Sequence, residues 1–361
     1  MPLKLFSEKE KAPSSLSKIK KVIAIAAGKG GVGKSTIAVN LALALKKEGF
    51  KVGLLDADVY GPSVKKMLPE GLLPCQSEED PSRITPGLSL GIPFISVAHF
   101  KGEKEASLVR APIANGVIQQ FLHQVNWGDL DFLLIDFPPG TGDIQLTIAQ
   151  QAGLSGALVV TTPQEVALLD VRKAIQLFLQ LNIPILGIVE NMSYLSIPHS
   201  EEKVYPFGKG GGERLAKEFG VPLFGEIPLD AELCRCGDEG KSLFQTDSVC
   251  AALFSGIIKK FISSLPTSGE EIKEMIQSNP YTFTIEWIDG KISAYRFSDL
   301  QRRCPCARCE GKKGEGEMEQ KEVEVTAIKR IGKYGLSFAF TSGCSKGIYP
   351  YSFLRKWGLS L

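Results

Sequence analysis

Two groups of residues in this 361-residue chain have the types and spacing to do chemistry. The first is GKGGVGKST, Gly28 to Thr36. Gly28, Gly30, Gly31 and Gly33 let the backbone turn tightly enough to aim N–H groups at phosphate oxygens. Together with Val32 and Thr36 they make a phosphate-binding loop, provided that a strand precedes the segment and a helix follows it. Both conditions are met: Val22 to Ala26 is a short apolar run, and Ser35 to Lys47 has helical period. In that context Lys34 neutralises the β and γ phosphates of ATP, the Ser35 hydroxyl holds Mg²⁺, and the helix N-terminus adds positive potential. Lys29 is additional, because the ordinary pattern needs no lysine there. The second group is sulfur. Cys304, Cys306 and Cys309 fall within six residues. Cys304 and Cys306 are too close along the chain to pair readily with each other. In a reducing compartment such clusters bind zinc or iron–sulfur, or do redox chemistry.

The elements around these groups alternate. Strand, loop and helix through Lys47 lead to a strand at Val52 to Leu55. Further strands are expected at 131–136, 156–162, 183–191 and VPLFGEIP, with helices in EVALLDVRKAIQLFLQ, GGERLAKEFG and SVCAALFSGIIKKFISSL. Repeated βα units predict an α/β P-loop fold with a mostly parallel sheet flanked by helices. PTSGEE, 266–271, reads as a linker. Beyond it the pattern turns β-rich, with a hairpin around Asp289-Gly290 and a second strand pair in KEVEVTAIKRIGKYGLSFAF. The expected organisation is a flexible tail over 1–20, an ATPase domain over 21–266 and a small β-rich metal-binding domain over 270–361. Hydrophobic content of 43%, charged content of 23% and a net charge of +2 give no pull toward nucleic acid or membrane. No apolar run is long enough to span a bilayer, and residues 1–20 lack the apolar stretch of a signal peptide, so a cytoplasmic location is expected.

With DADVYGPS (56–63), DFPPGTGD (136–143), TTPQEVALLDV and VENMSY, the loop resembles the deviant-Walker ATPases, and within them the Mrp-type (ApbC-like) iron–sulfur cluster carriers. The resemblance covers roughly residues 20–262. It implies a homodimer that hydrolyses ATP and passes clusters from scaffold proteins to apoproteins. Lys29 then reaches the partner's nucleotide, Asp58 orients the attacking water and Asp136 stands near Mg²⁺. Pro138, Pro139, Gly140 and Gly142 resemble the segment that senses the γ phosphate, and Asn191 resembles the adenine-reading amide. A positioning ATPase of the MinD/ParA kind is the alternative.

Carriers of this branch have a Cys-x-x-Cys after the ENMSY strand. Here those places hold Ile197 and Ser200. Cys234 and Cys236, after the next strand, are either a replacement that bridges a [4Fe–4S] cluster across the dimer, with Arg235 favouring thiolate, or two partly buried cysteines that act as small hydrophobes. The tail segments IEWIDGKISAYRFSDLQRRCPCARCEG and GCSKGIYPYSFLRKWG resemble the N-terminal domain of γ-butyrobetaine hydroxylase, in which three cysteines and a histidine bind zinc. Cys344 stands where that histidine is expected, so the resemblance implies a four-thiolate Zn²⁺ site at Cys304, Cys306, Cys309 and Cys344. The purified full-length chain is then expected to contain about one zinc per chain. Cys344→Ser should lose most of it by elemental analysis; full zinc occupancy in that variant would rule out the fourth ligand.

Overall fold

The computed structural model describes residues 3–4, 14–69, 71–100, 111–197, 202–265, 272–304, 322–331, 335–341 and 347–360. They form two compact units: Lys11–Ala216 with Val221–Ile262, and Ser263–Leu361 with Met1–Glu10 and Lys217–Gly220.

The larger unit is built on an eight-stranded sheet. Its strands are β1 (Ile19–Ala27), β2 (Val52–Asp56), β3 (Gly87–Ser89), β4 (Ile92–Ser96), β5 (Leu130–Asp136), β6 (Gly156–Thr161), β7 (Ile185–Glu190) and β8 (Leu223–Glu226). The spatial order is β8-β7-β6-β1-β5-β2-β4-β3. The near-continuous aliphatic runs of β2, β5, β6 and β7 are buried along almost their whole length, as strands covered on both faces must be. All neighbours pair in parallel except β3 with β4. That antiparallel edge had no counterpart in the sequence pattern; Leu90 and Gly91, both at positive φ, make its tight turn.

The longer helices are α1 (Lys34–Lys47), α2 (Ala111–Gln124), α3 (Asp143–Gln151), α4 (Glu165–Gln180), α5 (Gly211–Phe219), α6 (Ala231–Glu239) and α7 (Val249–Ser264), with a single turn at Val64–Met67. The tail expected over 1–20 is shorter than its polar composition suggested. Ser15 and Leu16 are buried, the Ser15 hydroxyl donates to the Leu122 carbonyl of α2, and β1 already begins at Ile19. Leu3–Lys4 pairs antiparallel with Ile276 and Gln277.

In the smaller unit, β9 (Ile272–Asn279), β10 (Thr282–Trp287) and β11 (Ile292–Arg296) form a meander, followed by helix α8 (Phe297–Arg302). The β10–β11 turn carries Gly290 at φ 83°, as its Asp-Gly signal predicts. A second sheet joins β12 (Val325–Ile331), β13 (Gly335–Phe340) and β14 (Ile348–Pro350), and α9 (Tyr351–Trp357) follows. The core is aromatic: Phe283 stacks on Tyr295 and Phe297, with centroids 4.9 and 5.0 Å apart. Polar tips are satisfied, since Trp287 Nε1 donates to Ser293 Oγ and the Tyr349 hydroxyl to the Leu300 carbonyl. Cys304 is buried just after α8. Cys306, Cys309 and Cys344 lie outside the described residues.

One packing contact decides where the phosphate loop can sit. A Cβ on Gly28 would stand under 3.0 Å from the Asp170 carbonyl carbon and the Val171 nitrogen, both backbone atoms of α4. Gly28→Ala must therefore push α4 off the loop. It is expected to lower unfolding free energy by about 1–3 kcal/mol in denaturant melts, whereas Gly142→Ala, which meets nothing within 4 Å, should leave the melt almost unchanged.

Candidate nucleotide site

The site is assembled at the carboxyl ends of β1, β2, β5 and β7, where open α/β sheets bind ligands. The loop leaves β1 after Ala27 and enters α1 at Lys34, with Gly31 and Gly33 at φ 80° and 81°, a region that costs a side chain but not glycine. β2 and β5 end on aspartates in register, Asp56 beside Asp136.

Lys34 is buried, and its Nζ lies 2.6 Å from Asp136 Oδ1 and 4.0 Å from Asp58 Oδ2. The Ser35 hydroxyl donates to the other oxygen of Asp136, Oδ2, at 2.5 Å. One carboxylate thus holds both the lysine and the hydroxyl of the loop. Burial pushes the Asp136 carboxyl above its ordinary range, against the pull of Lys34 and Ser35.

Asp56 is the buried carboxylate beside the loop that the motifs did not single out. Only Asp58 of DADVYG drew a role, because the resemblance carried one for it. Asp56 is fully buried, and its carboxylate accepts from the Ser96 hydroxyl at 2.8 Å and from the Asp58 and Val64 N–H groups. Its pKa is pushed up to about 7, first by burial and then by the neighbouring Asp136. A strand ending D-x-D before a turn, parallel to another ending in Asp, was the available signal. Asp58 Oδ1 accepts from the Gly61 N–H, so this residue also ties its own turn.

Asp56, Asp58 and Asp136 face one buried lysine. The Ser35 hydroxyl and the Asp136 carboxylate, two hard oxygen donors in contact, fit Mg²⁺ held there together with phosphate oxygens. Lys29 is half-buried, and among the described residues no acceptor engages its ammonium. Pro139 lies against Gly30, Gly140 is at φ 93°, and the Gln145 amide holds the Pro138 carbonyl, so the 138–142 segment lies along the loop. Asn191 comes from the far side: its amide donates to the Val32 carbonyl at 2.9 Å and packs on Gly33.

The cysteine pair is not as expected. Cys234 and Cys236 lie in α6, capped by Asp230, and not in a loop. Two residues apart on a helix they point about 200° away from each other. Cys234 is exposed and Cys236 buried. Arg235 forks onto Glu232, and burial together with Glu232 pushes the Cys236 thiol up, away from thiolate. The two cannot clamp one cluster from one protomer. Among the described residues no group of three or more His, Cys, Asp or Glu side chains is arranged to hold a metal. Ile197 is partly exposed; Ser200 lies outside the described residues. His99 caps a short turn as an acceptor from the Ser96 N–H, and its pKa is lowered to about 4 by burial.

The model of one protein family, described as NUBPL iron-transfer P-loop NTPase, matches residues 18–262. The chain belongs to this family. A second model, γ-butyrobetaine hydroxylase-like N-terminal, matches residues 275–355. The iron-sulfur cluster carrier protein of Synechocystis is 45% identical over 251 residues, 68% of this chain and 71% of that protein. The chloroplastic Fe-S cluster assembly factor HCF101 of Arabidopsis thaliana is 35% identical over 357 residues, 95% of this chain and 66% of that protein. Among solved structures, a nucleotide-binding protein of Archaeoglobus fulgidus in complex with ADP is 39% identical, with a TM-score of 0.56, covering 64% of this chain and 92% of that one. The fold is the P-loop NTPase fold expected from the βα alternation, and this NTPase hydrolyses ATP. Among the described residues no helix is long and apolar enough to cross a membrane.

Two outcomes follow from the geometry. Lys34→Ala removes the charge partner of the phosphates and should weaken ATP binding at least about a hundredfold by calorimetry; unchanged affinity in the folded variant would sink the assignment. Asp56, raised from 3.8 to about 7, binds a proton in the folded state that the unfolded chain releases. The nucleotide-free protein should therefore lose stability as pH rises from about 4 toward 7, and Asp56→Asn should flatten that slope in urea melts at stepped pH.

Proposed function

We propose that the chain is a homodimeric ATPase that carries iron–sulfur clusters from scaffold proteins to apoproteins in the cytoplasm, using ATP binding and hydrolysis to set when the cargo is held and released. The observation that carries this reading is the complete phosphate site, Lys34 and Ser35 on Asp136 with Asp58 at its edge, in a chain whose relatives are named as cluster carriers and a cluster assembly factor. The MinD/ParA-like alternative would share the site but not those relatives.

In this reading Lys34 exchanges Asp136 for the β and γ phosphates, and Ser35 and Asp136 hold Mg²⁺, which supplies charge neutralisation on the phosphate oxygens. Asp58, at the rim, orients water. Asn191 uses one amide hydrogen on Val32, which leaves its second hydrogen and its oxygen for adenine. Lys29, engaged by no acceptor among the described residues, serves the partner's nucleotide. A mixture of Lys29→Ala and Asp58→Asn chains should then regain part of the hydrolysis that each variant lacks alone; mixed dimers with no regained activity would refute action across the dimer.

The cargo is a substrate and needs thiolates. Of the α6 pair only Cys234 faces solvent, so a shared cluster is reached by Cys234 of each copy, with the remaining ligands from small thiols or the acceptor. The four tail thiols are assigned to zinc. Anaerobic reconstitution followed by transfer to an apo-ferredoxin tests the whole. The expected result is iron and sulfide uptake that falls severalfold in Cys234→Ser, is unchanged in Cys236→Ser, and transfer that depends on ATP. Wild-type protein that takes up no iron and sulfide would contradict a carrier role.

A further inference from the structure

The last residue of β7, Glu190, is a fully buried carboxylate that touches neither the phosphate loop nor the carboxylates around Lys34. Among the described residues no lysine or arginine forms an ion pair with it, so it must be satisfied by hydrogen bonds alone, at a cost unless every partner is well placed. Both oxygens are used. Oε1 accepts from the Ser193 hydroxyl at 2.5 Å, and Oε2 accepts from the Gly212 N–H in the first turn of α5. The position of that helix is set to match: a Cβ on Gly212 would stand 2.9 Å from Glu190 Cβ, and one on Gly211 would stand 2.7 Å from the Pro163 carbonyl oxygen.

What this arrangement encloses is a four-residue turn, Glu190 to Ser193. Its third residue, Met192, has φ 54°, a left-handed conformation that a side chain adopts only when its surroundings impose it. The surroundings do so from both sides. The Asn191 N–H donates to Thr161, the Ser193 N–H to Ile227, and the Ile227 N–H back to the Glu190 carbonyl. The Glu190–Ser193 side-chain bond closes the turn across its mouth. Its product is the direction of Asn191, whose amide lands on the Val32 carbonyl while its body fills the space where any side chain on Gly33 would go.

We propose that Glu190 is a positioning residue of the ATP site: by tying Ser193 and the first turn of α5 it locks the left-handed turn that presses Asn191 onto the phosphate loop. Glu190 acts only through Asn191 and touches no nucleotide. The loop is thereby braced on two sides, by the α4 backbone at Gly28 and by the Glu190 turn at Val32 and Gly33. Without the second brace the loop keeps its sequence but loses the preorganisation that makes phosphate binding inexpensive in entropy.

The test is a double-mutant cycle read by ATP affinity, which does not depend on whether the protein carries a cluster. Glu190→Ala should raise the Kd for Mg·ATP about tenfold in the wild-type background and less than about twofold in an Asn191→Ala background, because two residues acting through one contact are not additive. Glu190→Gln should stay within about twofold of wild type: its oxygen can accept from Gly212 and its amide can donate to the Ser193 oxygen. A residue that merely stabilised the fold would lower both backgrounds equally. Equal losses in both backgrounds, no loss in either, or a Glu190→Gln variant as weak as Glu190→Ala would overturn the proposal. If Glu190→Ala does not fold, Ser193→Ala, which removes one of the two partners, replaces it in the same cycle, with the same criterion of loss that vanishes when Asn191 is absent.

Discussion

The interaction on which the site depends is the buried pair of Lys34 and Asp136, 2.6 Å apart. Removing either partner leaves a charge less well compensated out of water, Asp58 at 4.0 Å being a second acidic neighbour of the lysine. The pair is therefore both a stabilising element and a constraint on ligand binding. In the proposed exchange, ATP takes Lys34 from Asp136, and the released Asp136 then needs another cation. In the proposed function Mg·ATP would supply both in one event: phosphate for the lysine and a divalent ion for the carboxylate and Ser35. Binding becomes an exchange of partners within a site whose charges are already arranged.

That exchange needs strand ends in register. Asp56 and Asp136 are neighbours because β2 and β5 pair in parallel and stop together, and the loop stands beside them because β1 occupies the centre of the sheet. Burial then concentrates negative charge. Burial first, and then the neighbouring Asp136, hold the Asp56 carboxyl up near neutrality, and the bond from Ser96 fixes where its oxygens point. The glycines of the loop do different work from one another. Gly31 and Gly33 adopt positive φ, whereas Gly28 is needed because the α4 backbone leaves no room for a side chain.

Much of this was legible in the residues themselves. Long aliphatic runs marked the parallel strands, helical period marked α1, α4 and α7, and Asp289-Gly290 marked its hairpin, because each signal is local. Tertiary facts were not legible. The antiparallel edge at β3 and β4 rests on a short Gly-rich segment with Pro93, whose pattern favours no strand. Cys-x-Cys after a strand looks the same whether a loop or a helix follows. The helix is betrayed only by Asp230, whose side chain accepts from the Leu233 N–H as a cap, and by Gly240 at its left-handed end. Asp56 and Glu190 were hidden inside motifs whose better-known neighbours, Asp58 and Asn191, drew the attention. Both are buried carboxylates at strand ends, and only the three-dimensional pairing shows what they hold.

The exchange of partners at Lys34 is most directly tested by calorimetric titration of ATP, with and without Mg²⁺, into the wild type and Asp136→Asn. Wild-type protein should bind ATP tightly only with Mg²⁺, since Asp136 otherwise keeps the lysine. Asp136→Asn frees Lys34, so ATP without Mg²⁺ should bind this variant several-fold more tightly than the wild type, while Mg²⁺ adds little. If the variant instead shows the same Mg²⁺ dependence as wild type and no gain for metal-free ATP, Asp136 does not compete for Lys34, and the account of the site is wrong.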